Sequence, residues 1–186
     1  KWNGTDATTT TVQGNVYQTK TAMTTARSGV AGFSLNSKGF IAGGTTGTVS
    51  AVNERYDAIT NAWTTRTAMN TARQLLAGFF HSLSGFVTGG TTGSVSTVTE
   101  LHSDETNTWT AAGALSAARS GLAAGVTSSY AYASGGTTGT VSAVHDQLNP
   151  VTNTWTAKTV INTARQDLAG GTVTAYHVFG GSTGAD

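Results

Sequence analysis

The chain reads as an all-β protein in which one four-stranded unit recurs four times, and three observations predict it. Arginine returns every 46 residues at Arg27, Arg73, Arg119 and Arg165, inside "TAR" three times and "AAR" once. A glycine pair opens "GGTTG" at 43–47, 89–93 and 135–139, and the variant "GGSTG" at 180–184 stands one residue early. An Asn-x-Trp element keeps the same period at Asn61 and Trp63, Asn107 and Trp109, and Asn153 and Trp155. A fixed period of this length marks a repeat architecture before any single element is assigned.

Within one unit, "SGVAGFSL" (28–35) has strand character and ends in the turn "NSKG". "FIAGG" (40–44) follows as the second strand, and "TTG" makes the next turn. "VSAVNERY" (49–56) alternates so that Val52, Glu54 and Tyr56 share a face. "DAITN" turns the chain, as "SDETN" and "NPVTN" do in the sister units, and "AWTTRT" is the last strand. Short strands between Gly, Asn and Asp turns predict an antiparallel meander. No segment sustains a helical period. A repeated four-stranded unit of this length predicts a β-propeller, in which each sheet is one blade.

The combination of the double glycine, "YDAITNAW" (56–63) and "TARSG" (25–29) resembles the kelch repeat over nearly the whole chain. The tyrosine before the Asp turn stands only at Tyr56, with His102 and Leu148 in its sister places. The style of "GGTTGTVSAV" and "NTAR" also resembles kelch-like repeats of bacteriophage virion and tail-fibre proteins. This resemblance implies a structural arginine between blades and a partner-binding face at the loops between second and third strands.

Counting 46 residues back from Asn61 and Trp63 reaches Asn15 and Tyr17. The N-terminus therefore supplies a third and fourth strand, and "QDLAGGTVTAYHVFGG" supplies a first and second. The expectation is a single domain over 1–186 with units near 25–70, 71–116, 117–162, and 163–186 joined to 1–24. Its last blade is shared between the termini, which removes unpaired strand edges. A partial ring completed by a second copy is the rival reading. The opening "KWNG" reads as a processed or incomplete sequence.

Composition excludes several function classes. Ten Lys plus Arg against nine Asp plus Glu give no electrostatic footprint for nucleic acid or anionic lipid. Apolar runs are too short to span a bilayer as a helix. With no cysteine there is neither a disulfide framework nor a thiolate metal site. Threonine supplies roughly a fifth of the residues, and such β-branched, charge-poor composition suits a secreted or particle-surface protein.

Two repeated sets carry structure on this reading. Arg27, Arg73, Arg119 and Arg165 pair with the carboxylates Glu54, Glu100 and Asp146, which share the period and need a partner when buried. Trp63, Trp109 and Trp155 pack blade against blade. An arginine ring for an acidic ligand, sugar stacking on the tryptophans, and a cation held by the three carboxylates are the less favoured readings. The histidines His81, His102, His145 and His177 occupy unlike places and make no short-spaced metal pair. No nucleophile elbow and no Walker lysine is present, so no catalytic residue, metal or cofactor is expected.

The candidate binding surface is the set of near-identical loops carrying Thr45, Thr46 and Thr48, then Thr91, Thr92 and Ser94, then Thr137, Thr138 and Thr140. Trp2, Tyr130 and Arg66 lie outside the repeat and are candidates for exposed contacts. The function expected is non-enzymatic binding or structure on an extracellular or virion surface, as in a phage appendage contacting cell-surface glycan or protein. A self-assembling particle or filament component is one alternative, and a hydrolase or lyase acting on carbohydrate is another.

Overall fold

The computed structural model describes residues 20–172 and 174–184. Among them lie fourteen strands and no helix. β1 (Ala31–Leu35), β2 (Lys38–Ala42), β3 (Asn53–Asp57) and β4 (Ala62–Arg66) form the first sheet in sequence order. β5 (Ala77–His81), β6 (Ser84–Thr88), β7 (Thr99–Ser103) and β8 (Thr108–Ala112) form the second. β9 (Ala123–Val126), β10 (Ala131–Ser134), β11 (His145–Asn149) and β12 (Thr154–Lys158) form the third, and β13 (Ala169–Thr172) pairs β14 (Tyr176–Phe179). Every pairing is antiparallel. The protein is thus all-β, with four-stranded meanders in a propeller-like arrangement. The third and fourth strands expected from residues 1–19 lie outside the described residues, as does Trp2.

Strand limits differ from the sequence reading for identifiable reasons. Ser28 belongs to an isolated bridge with Thr45, because Gly29 at φ 61° breaks the run before β1. β2 stops at Ala42, since Gly43 and Gly44 take φ values of 71° and 92°. β3 begins at Asn53 rather than 49, because Ser50 N–H turns back to the Gly44 carbonyl at 2.8 Å.

The first strands of successive units lie side by side. A Cβ at Gly78 would come within 2.5 Å of the Gly32 carbonyl, and one at Gly170 within 2.5 Å of that of Ala124. Just before these strands runs a chain of backbone bonds that sequence reasoning did not foresee. Leu75 N–H donates to Gly29 O, Gly121 N–H to Leu75 O, and Asp167 N–H to Gly121 O, each at 2.8 Å. All four residues have φ between 54° and 61°, which glycine adopts freely and Leu75 and Asp167 do not.

Between sheets the apolar core repeats as well. Phe33 stacks on Phe40 within its sheet (ring centroids 5.1 Å apart), and Trp109 of the next sheet meets Phe33 edge-on at 6.3 Å. Phe79, Phe86 and Trp155 repeat this, at 5.0 and 6.1 Å. Such offset and edge-on pairs add about 0.5–1.5 kcal/mol each beyond area burial.

Candidate functional site

The repeated arginine is the fastener from which the rest of the surface is built. Arg73 Nη1 donates to the carbonyls of Gly89 (2.5 Å) and Val98 (2.8 Å), and Nη2 to Glu100 Oε1 (2.9 Å). Arg119 makes the same three bonds to Gly135 (2.8 Å), Val144 (2.8 Å) and Asp146 (2.5 Å). Arg27 bonds Gly43, Val52 and Glu54. Each side chain therefore ties the end of the second strand to the start of the third in its own sheet. Its backbone reaches the preceding unit: Arg73 N–H donates to Ser50 O (3.2 Å), and Gly44 N–H donates to Arg73 O (2.8 Å). Arg119 and Arg165 repeat both bonds with Ser96, Gly90, Ser142 and Gly136.

Burial lowers the pKa of the Arg73 and Arg119 guanidinium groups, and the charges of Glu100 and Asp146 push it back up. The carboxylates are fully used at two of three places. Glu100 Oε2 accepts from Asn70 N–H at 2.7 Å, and Glu54 accepts from Thr24. The shorter Asp146 leaves Oδ1 without a partner among the described residues. The double glycines are explained here too. A Cβ at Gly43, Gly89 or Gly135 would sit 2.6, 2.7 or 2.6 Å from the carbonyl of the next unit's arginine. Arg165 departs from its sisters, with one bond, to the Gly180 carbonyl at 2.7 Å, among the described residues.

The threonine tips follow in the chain the glycines that these arginines hold. Thr45, Thr91 and Thr137 serve the scaffold. Each pairs its backbone with the first residue after an arginine, Ser28, Gln74 or Ser120, and its hydroxyl accepts the N–H of the following tip glycine at 3.0–3.1 Å. Ser182 keeps that hydroxyl role toward Gly184 at 3.0 Å, which is why "GGSTG" replaces "GGTTG" without changing the turn. Thr46, Thr48, Thr92, Ser94, Thr138 and Thr140 are exposed. Because the same bonds anchor each tip, the six hydroxyl side chains occupy equivalent places in successive units.

Arg66 sits elsewhere and is engaged. Its Nη2 meets Asp104 Oδ1 at 2.9 Å and Asp104 O at 2.8 Å, and Arg55 reaches the same carboxylate at 3.2 Å. These three residues clamp the first sheet to the second. Tyr130 is 38% exposed.

The tryptophans report their neighbours through the indole N–H. Trp109 donates to Thr67 O at 2.9 Å, Trp63 to Thr21 O at 2.8 Å, and Trp155 to Thr99 Oγ1 at 3.1 Å. The asparagines two residues earlier hold φ of 52–55° in the turn. Their Oδ1 atoms accept from Thr21, Thr67 and Gly113 N–H at 3.1–3.3 Å. Asn-x-Trp is thus a turn and an inter-unit clasp at once.

The third junction is built differently. Gly125 stands where Phe33 and Phe79 stand in earlier sheets, and the next unit supplies Tyr176, whose ring stacks on Tyr132 at 5.4 Å and 5°. A Cβ on Gly125 would come within 2.5 Å of that ring. Burial pushes the Tyr176 phenol up to about 12. His145 stacks on Tyr132 at 5.5 Å, and its Nδ1 is 2.7 Å from Ser134 Oγ. A cavity of about 410 Å³ opens here between Tyr132, Ser134, His145, Ile161, Tyr176 and Val178. A second of about 520 Å³ adjoins it along Ile161, Arg165, His177 and Val178.

His102 occupies the slot that Leu148 fills one unit later. It is fully buried among Phe33, Phe40 and Trp109, with ring centroids 4.8–6.4 Å away. Burial lowers its pKa, Asp104 opposes that shift, and Arg66 adds to it. A depressed folded-state pKa means that the unfolded chain binds the proton first as pH falls below the ordinary histidine value of about 6.5. Stability contributed by neutral His102 is therefore complete above that value and lost as pH falls from it toward the folded pKa. Denaturant midpoints should drop as pH falls below about 6.5, and His102→Leu should flatten the dependence. An unchanged pH profile in that variant would refute the assignment.

Comparisons with known proteins give the fold and no more. No family model matches the chain, and no curated protein matches it. Solved structures do match, 159 chains in all. One of them, titled "Structure of YjhT", superposes with a TM-score of 0.65 at 13% identity over 78% of this chain. The match spans 56% of the length of that structure's chain, a likeness of fold alone.

Proposed function

We propose that this protein is a kelch-like, propeller-type module for non-enzymatic binding, displayed on an extracellular or virion surface such as a phage appendage. Its ring shares the fourth 46-residue unit between residues 163–186 and an N-terminal segment. The observation that carries the reading is the triple display of one tip. Three exposed Thr-Gly-Thr or Thr-Gly-Ser apices are anchored by the same bonds on successive units.

A hydroxyl array on rigid turns suits a ligand that itself repeats, such as a cell-surface glycan or an ordered protein surface. Individual contacts of this kind are weak. Linking several raises overall affinity by about 10²–10⁴ when geometry allows simultaneous engagement. The scaffold also leaves the apices free of structural duty, since Thr45, Thr91 and Thr137 carry the turns.

The test is a glycan array and cell-binding assay with the parent chain and a Thr46→Lys, Thr92→Lys, Thr138→Lys variant. The parent should bind, each single change should weaken binding modestly, and the triple change should abolish it while leaving the folding midpoint in place. Binding that survives the triple change would sink the tip assignment. A self-assembling structural role is the second reading, favoured by β14, which among the described residues pairs with β13 alone.

A further inference from the structure

One titratable side chain stands where the repeat elsewhere places an apolar one. His81 ends β5 in the place that Leu35 takes at the end of β1. Both are buried, Leu35 at 2% exposure and His81 at 9%. Leucine fills such a slot without needing a polar partner. The imidazole brings two ring nitrogens into it, and a buried polar group left unpaired is costly. Nδ1 lies 2.5 Å from Oγ of Ser82, the next residue in the chain. Nε2 is buried and makes no hydrogen bond of good geometry among the described residues. The backbone of Ser128, in the first hairpin turn of the third sheet, raises the pKa of the ring, and burial lowers it by more.

The turn holds the serine hydroxyl where a reagent can reach it. β5 and β6 join through Ser82 and Leu83 alone, with His81 paired to Ser84. Both turn residues have left-handed φ, 48° and 68°, as Asn36 and Ser37 have in the first sheet at 51° and 59°. Two-residue hairpins of this kind favour Asn and Gly. Asn36 meets that preference, whereas Ser82 and Leu83 do not. Ser82 is exposed although His81 beside it is buried. A sharp, strained turn that projects a serine hydroxyl clear of its strand is one way in which proteins present a nucleophile.

The surroundings also set the tautomer. A backbone group that raises the pKa of an imidazole accepts from the ring, and the acceptor that Ser128 offers is its carbonyl. Nε2 on that side carries the proton, and Nδ1 turns its lone pair to the Ser82 hydroxyl. Burial keeps the ring neutral at pH 7, the state in which it can take up a proton. A hydroxyl, a base in hydrogen-bond reach and a group that orients the base are the parts of an activated serine.

We infer that Ser82 is a nucleophile with His81 as its general base, and that the pair accepts an acyl group from an activated ester. Ser82 Oγ attacks the ester carbonyl while His81 Nδ1 takes the hydroxyl proton. The tetrahedral adduct collapses to an ester on Ser82, and the leaving alkoxide or phenoxide departs with the proton from the imidazolium. The ring is then neutral again. Leu83, 79% exposed, adjoins the hydroxyl. Tyr130, 38% exposed, closes the turn that contains Ser128, its carbonyl accepting from Thr127 N–H at 2.8 Å. These two side chains suit an acyl donor with an apolar or aromatic part. The turn before β6 and the threonine tip after it lie at opposite ends of that strand, so failure of tip binding leaves this assignment standing.

The test treats the full chain with p-nitrophenyl acetate at neutral pH and locates the acetyl groups by peptide mapping. Ser37 is exposed in the sister turn of the first sheet, where the preceding strand ends in Leu35 rather than a histidine. Ser82 should be acetylated about 10²-fold faster than Ser37, the lower end of what a positioned general base contributes. His81→Leu installs the residue that fills this slot in the first sheet, and it should bring Ser82 down to the rate of Ser37. Acetylation of Ser82 no faster than that of Ser37 in the unaltered chain overturns the inference, and so does a Ser82 rate that His81→Leu leaves unchanged. An acetyl group found on His81 in place of Ser82 overturns it too, since the ring would then be the nucleophile. The comparison of two serines within the unaltered chain stands even where the variant folds poorly.

Discussion

Arg119→Met is expected to destabilise the protein by about 3–5 kcal/mol, the usual result of removing one partner of a buried ion pair. The variant strands Asp146 at zero exposure without its cation, and leaves the Gly135 and Val144 carbonyls without their side-chain donor. Replacing both charges, as Arg119→Met with Asp146→Leu, should recover only part of the loss. Buried ion pairs exchange well for apolar pairs when the charges serve only each other. Here the guanidinium also serves two carbonyls, and a buried polar group left unsatisfied costs about 1–3 kcal/mol. Chemical denaturation of both variants reads the difference. A double variant as stable as the parent would show that the carbonyl bonds contribute nothing.

The second large effect concerns the ring that changes owner. At the first two junctions the aromatic residue belongs to the earlier sheet, with Phe33 against Gly85 and Phe79 clustered with Ala131. At the third it belongs to the later one, Tyr176 against Gly125. Tyr176→Ala should cost about 3–5 kcal/mol, as aromatic truncations in packed interiors do. Gly125→Phe alone overfills the same volume and should cost about 1–3 kcal/mol. Together they recreate the arrangement of Phe79 and Ala131, and Gly125 holds no left-handed φ that would obstruct a side chain. The double variant should lie well above the sum of the two losses, and a double-mutant cycle measures the coupling. Simple additivity would show that the two positions do not share one pocket.

Much of this was legible because repetition exposes constraint. The period, the meander, the short strands and the pairing of arginine with carboxylate all follow from identities that recur where the geometry recurs. What identity could not show was the division of labour within a tip. Thr45 and Thr46 are the same residue, yet one closes the turn and the other faces solvent, which only the hydrogen-bond partners reveal. The inner backbone chain was hidden for the opposite reason. Gly29, Leu75, Gly121 and Asp167 share a conformation without sharing an identity.

Arg66 was placed among exposed contacts because it has no repeated counterpart. The structure instead gives it to Asp104, which has Ala58 and Pro150 in its sister places. Gly125 and Tyr176 depart from the pattern together in the same way. A break in the repeat on one unit is answered by a break on the next, because neighbouring sheets must fill one shared volume.

Each arginine fastener joins residues only 27 positions apart in its own sheet and leans on the sheet before it. Stability in such an array is a sum over nearest neighbours, not the property of one indivisible core. Amide exchange should then be slowest in the second and third sheets and fastest in β13 and β14, where Arg165 makes a single bond among the described residues. The same locality makes the protein extensible. A 46-residue insertion or loss alters the length of the array and asks for matching neighbours only at the junctions beside the change, while the more distant junctions keep their bonds.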